Sequence, residues 1–106
     1  MADRIRISPY ARFADFYPFY LSEHSNRANR RLHFIGTSLG VAAILHSLST
    51  LNFWWLLGGL VAGYGCAWVG HFFIEKNRPA TFTYPLYSFM GDWVMWRDML
   101  TGRIRF

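Results

Sequence analysis

Charge is scarce in this chain. Asp, Glu, Lys and Arg make up 16% of its 106 residues, against about 25% in an ordinary soluble domain. From Phe34 to Ile74 there is none at all. Cysteine is nearly absent too. A single Cys66 excludes an intramolecular disulfide and any zinc-ribbon pair. Within its apolar run Cys66 reads as a small packing residue. The first ten residues carry charge with no apolar core behind it, so no secretory signal is expected there. Acidic residues are few as well, leaving a net charge of +5. A basic excess can mean nucleic acid, but its placement argues against that. All 11 Lys and Arg lie outside residues 34–74, as expected of segments that flank a membrane.

What the chain does have is apolar length. Residues 34–51 form an uncharged run of 18 and residues 53–74 another of 22. As helices they would span roughly 27 and 33 Å, against a hydrocarbon thickness of about 30 Å. Asn52, with Ser49 and Thr50, supplies a polar turn, and Phe53, Trp54 and Trp55 form an aromatic belt beside it. The expected fold is all-α: one membrane domain over residues 1–106, built on a transmembrane hairpin. Basic flanks and an uncharged turn put both termini in the cytoplasm. The setting would be a bacterial inner membrane, or the endoplasmic reticulum of a eukaryote. Segments 10–31 and 85–101, rich in aromatics, are expected to lie at the interface or insert partly, the first broken at Pro18. The alternative is a soluble helical bundle with a buried hairpin, but polar residues are too few to cover both helices. Two GxxxG motifs, Gly36/Gly40 and Gly59/Gly63, favour close helix approach. The turn position sets Gly36 and Gly40 level with Gly70 and Cys66. Two helices bury little, which predicts self-association, a dimer being the simplest form.

Histidines border the apolar stretch. His33 opens the first run and His71 closes the second, 38 positions later. A hairpin brings both to one depth. Asn29 and His33, like His71 and Glu75, are four apart and share a helix face. His24 lies nine residues before His33, so on one helix the two face opposite ways. They converge only if the chain bends near Ser25 and Asn26. Imidazoles with a carboxylate from Glu75 or Asp92 suit iron(II), manganese or zinc, and Glu23 is a weaker third acid. The competing readings are bland. An interfacial His is often only amphipathic, and Glu75 could pair with Lys76 or Arg78. His46 belongs near the far turn and stands outside the group. Arg27, Arg30 and Arg31 form a basic run that anchors the border or captures an acidic headgroup. Arg78 is a further candidate, and Asn29 is placed with these substrate-facing residues.

The strings His24-x4-Asn29-x3-His33-x2-Gly36, Gly70-His71-x3-Glu75-Lys76-x2-Pro79 and Pro85-Leu86-Tyr87-Ser88-x3-Asp92 resemble the Mpo1-like family. These small membrane proteins, formerly of unknown function, include the fungal 2-hydroxy fatty acid α-dioxygenase of phytosphingosine degradation. The likeness runs from about Phe16 to Gly102. It implies an iron(II)-dependent enzyme that consumes O2, releases CO2 and shortens a 2-hydroxy fatty acid by one carbon. It also implies His24, His33 and His71 as iron ligands. Glu75 and Asp92 would be further ligands or would orient an imidazole, and the arginines would hold the substrate carboxylate. The rival readings are a non-enzymatic lipid-binding or assembly protein with structural histidines, and a haem protein using two of them.

Overall fold

The computed structural model describes residues 10–106, so the expectation for the extreme N-terminus lies outside it. Every regular element in the described residues is helical. The order is α1 (Phe13–Ser22), α2 (Arg27–Thr50), α3 (Trp54–Val69) running into a π-helical turn (Gly70–Glu75), a 3-10 turn (Ala80–Phe82) and α4 (Pro85–Leu100).

The first long helix starts seven residues before its apolar run. Capping sets that start, because Asn26 Oδ1 accepts from Ala28 N at 2.8 Å and satisfies a donor of the first turn. The helix ends at Leu51, which is left-handed at φ 57°. Asn52 Oδ1 then accepts from Trp54 N at 3.2 Å as α3 begins. The two continuous helices, Arg27–Thr50 and Trp54–Glu75, each have a mean hydropathy of 1.4 over their best window. At 24 and 22 residues both are long and apolar enough to cross a membrane. Their outer faces are bare of cover: Leu45 is 63% exposed, Phe73 73% and Trp54 79%.

The register between α2 and α3 differs from the expectation. Gly36 faces Gly63 and Cys66, and Gly59 faces Gly40 and Ala43. Gly70 faces Asn29 instead of Gly36. Only this register lays the two glycine pairs over each other, Gly36 on Gly63 and Gly40 near Gly59, where backbones can meet without side chains between them. A Cβ at Gly36 would lie 2.9 Å from Gly63 O, so the approach needs glycine there.

The largest buried side chains lie outside the hairpin. Phe16 and Tyr20 of α1 pack with Ala80, Met95 and Met99, ringed by Phe13, Tyr84, Tyr87 and others. These segments form a cap over the end of the hairpin that carries the histidines. Helix α1 runs through Pro18 without a break, contrary to expectation. The missing N–H removes one bond to the exposed turn at Ala14. The aromatic contacts of Phe16, which reach rings at Tyr10, Tyr84 and Tyr87, hold the helix regardless. Helix α4 begins with Pro85 in its first turn, where no N–H is needed. It reaches α2 through Trp96, whose Nε1 donates to Ser38 Oγ at 3.0 Å.

Candidate metal centre

Three histidines from three segments meet under the cap. Between α1 and α2 the chain turns at Glu23–Asn26, the bend that His24 requires. His33 sits in the second turn of α2, and His71 in the π-helical turn after α3. The ring centroids of His24 lie 4.3 Å from His33 and 4.5 Å from His71, and those of His33 and His71 are 4.9 Å apart. All three are buried, and one ligand atom from each falls within 4.8 Å of the others.

The outer nitrogens decide what the inner ones can do. His24 Nδ1 lies 2.6 Å from Tyr20 O, His33 Nδ1 3.0 Å from Asn29 O, and His71 Nδ1 2.8 Å from Asn77 Oδ1. Asn77 Nδ2 donates to Glu23 O at 3.1 Å, which turns its oxygen toward His71. Every Nδ1 therefore faces an acceptor and carries the hydrogen. The three Nε2 atoms are left as lone pairs. Two of them, on His24 and His33, stand 3.0 Å apart. Lone pairs at that distance repel unless a cation lies between them. Burial, with His33 beside it, holds the His24 imidazole well below its ordinary range, which disfavours a proton in that place. A divalent metal binds imidazole at about 2.0–2.1 Å, so neighbouring ligand nitrogens fall roughly 3.0–3.4 Å apart. His24 and His33 already have that spacing, and with a nitrogen of His71 within 4.8 Å the three could hold such an ion with coordination positions to spare.

Carboxylates surround this group without joining the three nitrogens. Glu75 points at the bend: its Oε1 accepts from Asn26 N at 2.5 Å and Asn29 Nδ2 at 3.4 Å, and its Oε2 from Ser25 Oγ at 3.3 Å. It thus sits at the N-terminus of α2, where a negative charge is stabilised. The straight helix expected through Ile74 would have carried His71 and Glu75 on one face. The π-helical turn separates their tasks, His71 toward the histidines and Glu75 toward the bend. Asp92 projects from α4 and accepts a hydrogen bond from Tyr20 OH. Its carboxyl is pushed up to about 7, chiefly by burial. Tyr20 also stacks on His24, with centroids 4.1 Å apart.

A protein-family model described as 2-hydroxy-palmitic acid dioxygenase Mpo1-like matches residues 10–104. The chain belongs to the Mpo1-like family. No curated protein and no solved structure matches it.

In this Mpo1-like chain the arginines take different places. Arg30 Nη1 donates to His24 O at 3.2 Å and Ser25 O at 2.9 Å, bracing the bend from within. Arg27 is exposed. The Arg78 guanidinium lies 5.1 Å from the Phe82 ring centroid. Asn29 is fully buried, with Oδ1 unpartnered. His46 packs edge-on against Trp55, 4.6 Å between centroids, at the turn end of the hairpin.

Three residues around the candidate site carry no signal in the sequence. Asn77 lies six residues from His71, a spacing that suits neither an α-helix face nor a strand. Tyr20 looked like one aromatic among many. Ser88 is 2% exposed, its hydroxyl has no hydrogen-bond partner, and it lines the small cavity shared by all three histidines and Asp92. It lies within the Pro85–Asp92 motif, but nothing in that motif distinguishes its hydroxyl.

Proposed function

We propose that this protein is a membrane-embedded, metal-dependent dioxygenase of lipid α-oxidation. Its substrates are 2-hydroxy long-chain fatty acids and O2. The balance closes when one O2 converts the hydroxy acid to CO2, water and an acid one carbon shorter. The observation that carries this reading is the set of three inward Nε2 lone pairs, in a chain of the Mpo1-like family.

His24, His33 and His71 would hold iron(II), which supplies the means to activate O2 at its open positions. Tyr20 O, Asn29 O and Asn77 Oδ1 fix the ring orientations and keep the Nδ1 hydrogens in place. Glu75 is assigned as a positioning residue, since its hydrogen bonds hold the bend that delivers His24. Asp92, with a carboxyl near 7, can hold or release a proton at neutral pH. It is assigned to the proton of the substrate 2-hydroxyl. Arg27 and Arg78 lie at the border where a lipid carboxylate would sit, and Arg30 braces the loop beside them.

The exposed apolar faces of α2 and α3 support insertion as a hairpin. Both termini would then face the cytoplasm. A fatty acid dissolved in the leaflet already presents its head at the interface, which is the depth proposed for the histidines. The domain is read as one membrane unit that self-associates.

The test is elemental analysis of protein purified without a histidine tag, alongside turnover of 2-hydroxypalmitate. Iron is expected in the wild type and absent from His33→Ala and His71→Ala, with CO2 release lost in both. Unchanged metal content in both variants would overturn the reading. So would full activity in metal-free protein.

A further inference from the structure

We propose that the groove between α2, α3 and α4 holds the hydrocarbon tail of the substrate, and that Gly40 sets the length of tail it accepts. The inference rests on the dioxygenase reading for the identity of the head.

The groove has a volume of about 280 Å³. At one end its wall is formed by His33 and Asp92, which also line the histidine cavity. Its other end is lined by Ile44 and Leu56, and between the two ends the lining is almost wholly apolar. A ligand matched to it has a polar head and one long apolar tail. The head end offers the unpartnered, buried Ser88 hydroxyl in the cavity that Asp92 shares. Ile44 and Leu56 are 38% and 39% exposed, so the far end opens sideways and a chain can enter from lipid. From His33 to Ile44 the helix rises about 16 Å. An extended hydrocarbon of that length has about 12 carbons. With the two reacting carbons, the groove suits an acid of about 14 carbons or slightly more.

The glycines of the hairpin divide by task. Gly36 and Gly59 face backbone or Ala43 so closely that a Cβ would collide. Gly40 lines the groove, and a Cβ there would meet nothing within 4 Å. Its missing side chain is empty groove. It stands about 10 Å beyond His33 along the helix, so a larger residue would stop a tail after about 8 carbons.

The experiment uses full-length protein in phosphatidylcholine vesicles, with 2-hydroxy acids of about 10, 14 and 18 carbons. Each carries a terminal diazirine for photolabelling, and turnover is measured in parallel. In the wild type the longer labels should map to the Ile44 and Leu56 end. Gly40→Leu should retain its metal and shift labelling and turnover toward the shortest acid by about tenfold or more. Ile44→Ala should shift both toward the longest, which keeps the proposal testable if Gly40→Leu fails to fold. A length profile unchanged in either folded variant would overturn the groove assignment while turnover persists. A changed oligomeric state in Gly40→Leu with no change in length profile would overturn it too, giving the groove to a second copy of the chain. Length-graded labelling without turnover would support the groove and sink the dioxygenase reading instead. No labelling of the wild type by any acid would overturn the groove outright.

Discussion

In the hairpin, α2 and α3 meet through Gly36, Gly40, Gly59 and Gly63, and large apolar side chains point outward. In the cap, Phe16, Tyr20, Met95 and Met99 are buried against a ring of aromatics. The two regions hold together by different means. Lipid tails are as apolar as Leu, so helices in a membrane gain little by burying Leu and associate through close backbone contact. The cap has large side chains shielded from solvent, as a soluble core does. The three histidines sit where the two meet. Their positions thus depend on both kinds of packing.

That contrast can be broken from either side. The largest effect is expected in the cap. Phe16→Ala empties a fully buried position and should cost about 3–5 kcal/mol in thermal unfolding of detergent-solubilised protein. In the hairpin, Leu45→Ala removes an outward side chain and should stay within about 0.5 kcal/mol. Equal losses from the two would show that the cap is no core. Gly36→Ala should then cost about 1–3 kcal/mol by the same assay, because its Cβ meets Gly63 O and Cys66 Cβ. A neutral result would mean that α2 and α3 do not pack at this register. Asn77→Ala leaves the His71 ring without its acceptor. Metal affinity, by chelator competition, should drop about 10–100-fold with the fold intact. Affinity within twofold of wild type would remove Asn77 from the site. Gly65→Ala is expected to act in the opposite direction. A Cβ there meets nothing, and the exposed helical position should gain up to about 1 kcal/mol.

Much of this was legible in composition and spacing. The charge gap from Phe34 to Ile74 predicted two long helices because apolar length depends on residue counts alone. The bend at Ser25–Asn26 followed from helix arithmetic applied to His24 and His33, and Asn26 proved to be the cap of α2. Helix register was less accessible. Gly36 was set level with Gly70 by counting from the turn, whereas packing selected Gly63. Counting treats all faces alike, and close approach happens only where two glycine faces coincide. Pro18 misled for a related reason. Its local cost of about 3 kcal/mol is visible in sequence, while the aromatic contacts that offset it come from residues some 70 positions away.

The sequence by itself determined that this is a helical chain with two membrane-length segments bordered by histidines, since hydropathy, capping and family motifs are properties of neighbours along the chain. Only the tertiary structure decided that the three Nε2 atoms turn inward, that Glu75 holds a bend, and that Asn77, Tyr20 and Ser88 belong to the site. Those outcomes depend on ring orientation and on the π-helical turn at Gly70–Glu75. Contacts across the whole fold set both, and no local pattern encodes them.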